Sequence, residues 1–328
     1  MNRLAWFVPT LAGLMAIVFV VSHVIPADPV LLVAGETASK EQVEALRAKL
    51  GFDRPLYVQL FSYYVDLLRG DLGMSLYTSR PVAQDLWSRV PATLELTLAA
   101  MLVATALGIP LGVVSALKRN SWLDHGVRIL TVSGLAIASF WLGIMLQLLF
   151  AMDLGWTPLN GRLSGFPPKP VTGLHLVDTA LIGDWRGFRS ALDHLALPTL
   201  TLAFPALATV VRFTRAGMLD VMQSGYVLYE RAMGVPPSVV TWKYVLRNAL
   251  TSTVTQIGLL FGILLAGAVV VETVFDWPGI GNYAFGAILM SDYNAIMGFT
   301  LWAGGMFMLA NLLVDIAHGV IDPRGTAG

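Results

Sequence analysis

The chain carries several apolar runs of roughly twenty residues, the length a helix needs to cross a hydrocarbon layer of about 30 Å. Lipid offers backbone groups no water, so each run must satisfy its own N–H and C=O groups, as a helix does. Composition agrees: 56% of the 328 residues are hydrophobic and only 13% charged, against about a quarter charged in a soluble domain. The expectation is an all-α polytopic membrane protein with six transmembrane helices, at Leu4 to Ile25, Leu94 to Leu117, Ile129 to Met152, Leu195 to Val211, Val254 to Phe275 and Ala295 to Ala317.

The first run is longer than a signal-peptide core, and no small-x-small cleavage pattern precedes Pro26, so it reads as a retained helix. Six spans place both termini on one side. Arg3, Lys118, Arg119, Arg128, Arg212, Arg215, Arg231, Lys243, Arg247 and Arg324 all fall on that side, and basic short loops favour the cytoplasm. Three regions follow: residues 1–25 as the first transmembrane helix, 26–91 as an extracytoplasmic helical segment, and 92–328 as a five-helix core with an outer loop at 155–194. Within 26–91, SKEQVEALRAKL from Ser39 to Leu50 has helical patterning, and Ser39 with Gln42 forms a capping-box pattern at its start. A second amphipathic stretch runs from Leu56 to Leu68. Gly108-x-x-x-Gly112 marks a close helix approach.

The longest polar interruption of the C-terminal half is Tyr226 to Leu250. Apolar residues recur at helical spacing from Met218 to Met233, which predicts one helix. Gly234 is placed to end it in the left-handed conformation, and Pro237 to open a second helix running to about Leu250. A helix–glycine–helix element at 218–250 cannot lie in lipid and must face water at a membrane surface.

Chemistry-bearing motifs are missing. No P-loop, His-Glu-x-x-His or Gly-x-Ser-x-Gly occurs. The five histidines are scattered and cysteine is absent, so neither a metal site nor a thiol nucleophile is expected. No catalytic residue, metal or cofactor is assigned, and zero net charge gives no nucleic-acid reading. Three carboxylates remain in or near the spans. Glu95 follows Pro91 by four residues, where a helix N-terminus favours negative charge. Glu272 stands near an outer loop, as a structural or gating hydrogen-bond acceptor. Asp315 stands near an inner end, able to reach the interface or pair with Arg.

Together these stretches carry a resemblance: Asp28-Pro29, Leu50-Gly51-Phe52-Asp53-Arg54-Pro55-Leu56, Gly70-Asp71-Leu72-Gly73-Met74-Ser75, Pro91-Ala92-Thr93-Leu94-Glu95-Leu96, Gly108-Ile109-Pro110-Leu111-Gly112, His194-Leu195-Ala196-Leu197-Pro198, Arg212-Phe213-Thr214-Arg215, Glu272-Thr273-Val274-Phe275 leading to Trp277-Pro278-Gly279-Ile280-Gly281, Asn311-Leu312-Leu313-Val314-Asp315 and Asp322-Pro323-Arg324. In that order they resemble the inner-membrane permease subunit of binding-protein-dependent ABC importers, in the dipeptide, oligopeptide and nickel group, B-type. The resemblance implies a translocation pathway shared with a second permease subunit. It also implies two separate ATP-binding subunits and an extracytoplasmic solute-binding protein, in a setting of membrane lipid. It implies that 218–250 is a coupling element docking on the ATPase through Tyr226, Glu230, Arg231, Ala232, Gly234, Val235, Arg247 and Asn248. Leu228, Tyr229, Glu230, Met233 and Pro236 depart from the family's usual residues there. Glu95, Glu272, Trp277, Pro278, Gly279 and Asp315 are then gate or structural candidates. The rival readings are an ion-coupled secondary transporter working alone and a membrane scaffold without transport.

Overall fold

The computed structural model describes residues 2–24, 30, 39–51, 53–168 and 170–321. The Asp28-Pro29 and Asp322-Pro323-Arg324 stretches and the side chain of Asp315 lie outside the described part. Among the described residues the protein is helical, with no β-structure beyond an isolated bridge between Met74 and Pro81.

In chain order the helices are α1 (Asn2–Val24), α2 (Lys40–Leu50), α3 (Leu56–Leu68), α4 (Val82–Leu117), α5 (Trp122–Ala136), α6 (Ser139–Leu146, continued by a π-helical stretch Gln147–Asp153), α7 (His175–Leu181), α8 (Trp185–Met222), α9 (Gly225–Ala232), α10 (an opening turn Pro237–Val239, a π-helical stretch Val240–Val245, then Leu246–Gly267), α11 (Val269–Val274), α12 (Ile280–Leu289) and α13 (Tyr293–Ile321). Among the described residues, four helices are long and apolar enough to cross a membrane, and a bent pair would make a fifth crossing.

Several expectations are corrected. The helix expected to begin near Leu94 begins at Val82, so Pro91 lies inside α4 and Glu95 is far from its first turn. The straight helix expected at 129–152 is α5 and α6, bent by 107°. The bend falls where Ile137 and Ala138 turn extended, with ψ of 126° and 130°. Helix 218–233 is interrupted, because Ser224 adopts an extended conformation (φ −69°, ψ 146°) and α9 starts afresh after it. The last ten residues of the expected outer loop 155–194 belong to α8, and between the last two expected spans lies a further helix, α12. The capping box holds as expected: the Ser39 side chain accepts from the Gln42 N–H, and the Gln42 side chain accepts from the Ser39 N–H at 3.0 Å.

The chain divides into two compact units. The first comprises Met1–Thr93 and Pro278–Met306. There α3 lays Leu60, Tyr63, Tyr64 and Leu67 against Met15, Phe19 and Met297, and the Tyr64 hydroxyl donates to the Ala12 carbonyl at 2.6 Å. A second cluster joins Val82 and Leu86 to Ile280, Tyr283, Ala287 and Ala295. Asp292 ties the preceding loop down, accepting from the Ser75 hydroxyl at 2.6 Å and the Tyr77 N–H at 3.0 Å.

The second unit comprises Leu94–Trp277 and Phe307–Gly328, and α8 is its hub. Of its apolar window 72% is buried, against 33% for the α10 window. Small residues on its neighbours make this possible. A Cβ on Gly108 would stand 2.8 Å from Val210 Cγ1, one on Gly112 2.6 Å from Thr214 Cβ, and one on Gly134 2.8 Å from Ala208 Cβ. These helices approach α8 at backbone distance, where dispersion between close-packed surfaces replaces the missing hydrophobic drive.

Candidate functional site

Near the N-terminal part of α8, a buried ion pair holds the segment that precedes α7. Glu95 is 6% exposed and Arg162 9%. Arg162 Nε donates to Glu95 Oε2 at 2.8 Å and Nη2 donates to the same oxygen at 2.5 Å. The other carboxylate oxygen accepts the Leu176 N–H at 2.7 Å, and Arg162 Nη2 also donates to the Gly173 carbonyl at 2.8 Å. The guanidinium lies 5.7 Å from the Trp277 ring centroid, within cation–π range. The structure thus corrects the reading of Glu95 as a charge at a helix N-terminus. It is an ion-pair partner in the body of α4, and it is linked to Trp277 through Arg162, a residue that no motif singled out.

Further bonds join the same loop to the end of α11. Gln147 Nε2 donates to the Leu159 and Val274 carbonyls at 3.0 and 3.1 Å, and the Gly161 N–H to the Phe275 carbonyl at 3.0 Å. Glu272 is fully buried beside this seam, and its carbonyl accepts the Trp277 N–H at 2.8 Å. Pro278 and Gly279 fall in the other unit, where Gly279 precedes α12 and the Ile280 N–H donates to Thr93 Oγ1 at 2.9 Å.

Asp178 organises the loop from within. Its carboxylate accepts from the Val171, Thr172 and Gly173 N–H groups and from the Thr172 hydroxyl, at 2.7–3.3 Å. Burial pushes its pKa up, but these hydrogen bonds outweigh burial and hold it below the usual carboxylate value. His175 is shifted down, by burial first and by the Arg162 charge second, against the opposing pull of Glu95 and Asp178. Its Nδ1 is buried without a hydrogen-bond partner, which suits a neutral ring.

Past the C-terminal end of α8 lies the helix–glycine–helix element. The Gly234 φ is +78° and its N–H donates to the Arg231 carbonyl at 3.1 Å, while the Val235 N–H donates to the Glu230 carbonyl at 3.2 Å. Pro237 occupies the first turn of α10. One side of the element is sealed: Val227, Val240, Val245 and Ala249 pack with Met218 of α8 and with Val113 and Ala116 of α4. The other side is open. Tyr226, Arg231, Ala232, Gly234, Arg247 and Asn248 are exposed, and Glu230 and Val235 partly so. Leu228 (54%), Tyr229 (63%), Met233 (66%) and Trp242 (60%) are exposed as well. Leu228, Tyr229, Met233 and Trp242 therefore give this surface an apolar, aromatic character, of the kind that marks an interaction site.

The sequence matches two families along its length: "Binding-protein-dependent transport system inner membrane component" over residues 108–326, and its N-terminal counterpart, "Binding-prot-dependent transport system membrane comp, N-term", over residues 2–97. It is 46% identical over 315 residues to the probable D,D-dipeptide transport system permease protein DdpB of Escherichia coli K12, covering 95% of this chain and 93% of that protein. It is 42% identical over 326 residues to the di/tripeptide transport system permease protein DppB of Pseudomonas aeruginosa, covering 98% and 97%. It is 39% identical over 322 residues to the glutathione transport system permease protein GsiC of Pectobacterium atrosepticum, covering 98% and 96%.

Proposed function

The chain belongs to the family of binding-protein-dependent transport system inner membrane components, and on that premise we propose that it is one of two permease subunits of an ATP-driven importer for a small peptide-like solute. It is a multi-pass inner-membrane protein and works in a transporter complex with other subunits. The peptide-like solute is supported by the relatives, whose names specify D,D-dipeptides, di- and tripeptides, and glutathione. In this reading six spans leave both termini in the cytoplasm. An extracytoplasmic binding protein delivers the solute, a second permease completes the pathway, and two ATP-binding subunits drive it. This chain performs no covalent chemistry; it supplies pathway and lever.

The observation that carries the docking role is the open face around Gly234, set on a seat made from the ends of α4, α8 and α10. Tyr226, Glu230, Arg231, Ala232, Gly234, Val235, Arg247 and Asn248 would meet the ATPase there, together with the exposed Leu228, Tyr229, Met233 and Trp242. Glu95, Arg162 and Trp277 would fasten the outer loop, with Glu272 behind it. The experiment is Gly234→Asp. A Cβ at Gly234 meets nothing within 4 Å, so the folding cost is confined to the left-handed backbone, about 1 kcal/mol. The expected outcome is normal abundance in the membrane, with loss of both ATPase co-purification and solute uptake. Normal uptake by this variant overturns the docking role.

A further inference from the structure

Asp124 is fully buried and both its carboxylate oxygens are saturated. Arg215 Nε donates to Oδ1 at 2.8 Å and Arg215 Nη2 to Oδ2 at 3.0 Å. The Ser115 hydroxyl donates to Oδ1 at 2.6 Å, the Asn120 N–H to Oδ2 at 3.0 Å, and Arg128 Nη2 to Oδ2 at 3.1 Å. Arg215 Nε also reaches Ser115 Oγ at 3.1 Å. Asn120 takes a left-handed φ of 63°, and Ser121 caps α5 by accepting the Asp124 N–H at 3.3 Å. One carboxylate thus gathers the end of α4, the turn after it, the first turns of α5 and the last third of α8.

Stability alone does not call for this arrangement. Removing two charges from water costs about as much as their attraction returns, and well-packed apolar residues usually serve as well or better. What a two-point Arg–carboxylate contact does supply is geometry, because the planar guanidinium fork fixes distance and angle together. The location is informative too. Arg215 lies seven residues before the end of α8 at Met222, roughly 10 Å of helix, and α9 follows after two residues. The apolar seat under α9 draws on Val113 and Ala116, which bracket Ser115, and on Met218, one turn beyond Arg215. A force applied to α9 therefore reaches the carboxylate cluster before it reaches the body of any span.

We propose that Asp124 and Arg215 form a positioning pair that makes α4 and α5 follow α8 when the coupling element moves, so that work done at the docking surface reaches all three helices at once. The proposal rests on the docking role of residues 218–250, and the experiment separates the two.

The assembled transporter, with its ATPase subunits and binding protein, is reconstituted in liposomes, and dipeptide uptake and ATP hydrolysis are measured on the same preparation. Asp124→Asn keeps the size but removes the charge, and it turns one of the two acceptor oxygens into an N–H donor, so the two-point contact with Arg215 is lost. Arg215→Lys keeps the charge but removes the fork. The double variant Asp124→Leu with Arg215→Leu removes both charges of the pair, the buried carboxylate and the half-buried guanidinium. Both single variants are expected to retain ATPase co-purification and hydrolysis within about twofold, while solute moved per ATP falls at least tenfold. The double variant is expected to match wild-type abundance and to stay uncoupled. Wild-type transport per ATP in the double variant overturns the proposal, as does loss of abundance in every variant, because the charges are then structural only. Gly234→Asp runs alongside: if it keeps its ATPase the docking role fails, whereas if it loses its ATPase and the Asp124 and Arg215 variants stay coupled, the positioning pair alone fails.

Discussion

Replacing Glu95 with Ala should release the loop at 159–178 without unfolding the protein. The substitution removes three acceptor contacts, two to Arg162 and one to the Leu176 N–H. Arg162 is left 9% exposed, with only the Gly173 carbonyl and the Trp277 face to offset its charge. Breaking a buried pair by deleting one partner costs about 3–5 kcal/mol, chiefly through the stranded charge. The loop can escape that cost by opening and letting the guanidinium reach water, so the penalty appears as local opening. About 3 kcal/mol corresponds to roughly a hundredfold in the opening equilibrium. Amide hydrogen exchange read by mass spectrometry measures it. The informative amides are Thr172 and Gly173, which donate to Asp178 and not to Glu95, so their acceptor survives the mutation. They should exchange about a hundredfold faster in Glu95→Ala. The double variant Glu95→Met with Arg162→Met leaves no stranded charge and should recover most of the protection. If only the Leu176 amide accelerates, the bonds from Gln147 and Gly161 hold the loop unaided and the reasoning is wrong.

Acid should loosen the same loop through His175. Its pKa is lowered from 6.5 in the closed loop, so the opened loop takes up the proton more readily. The stabilisation is whole above about pH 6.5 and is lost as pH falls below it. Asp178 is shifted the same way from 3.8, so its bonds survive to much lower pH. Exchange at 171–174, corrected for the intrinsic pH dependence, should therefore rise between pH 7 and 5.5 in wild type and stay flat in His175→Gln. Gly112→Val should be poorly tolerated: a Cβ there already falls 2.6 Å from Thr214 Cβ and 2.9 Å from the Val211 carbonyl, and overpacking costs about 1–3 kcal/mol, read as a lowered thermal midpoint in detergent. Gly126→Ala meets open space inside α5 and should be neutral or stabilising by up to about 1 kcal/mol. Single cysteines at Lys40 and Arg69 should react with an impermeant maleimide from the outer face alone, and labelling only after inner-membrane lysis would reverse the orientation proposed for 26–91.

The spans were legible where length and hydropathy suffice. Leu94 to Leu117 and Leu195 to Val211 both fall inside longer helices, because burial in lipid is a property of each segment alone. Local caps were equally legible. Ser39, Gly234 and Pro237 act through their own backbone and nearest neighbours, and each stands where its chemistry indicates. The stop at Ser224 was readable on the same terms, since Ser-Gly after Gln223 is a helix-start signal; the apolar stripe from Met218 to Met233 masked it. The bend at Ile137 and Ala138 is another matter. Neither residue is Gly or Pro, and each span half is apolar, so no local rule marks it.

The residues that link elements were the least visible, for a physical reason. A buried charge is stable only beside its partner, and the partner is set by topology. Glu95 and Arg162 are 67 positions apart, and Asp124 and Arg215 are 91 apart. Read singly, Asp124 is a first-turn acid and Arg215 a basic residue at an inner helix end, each with an ordinary explanation. The signal lies in the pairing: the Arg215 guanidinium needs a carboxylate once α8 is enclosed on most sides. In a hub helix wrapped by glycine contacts, such as α8, a cation near the less enclosed end is best read as half of a pair.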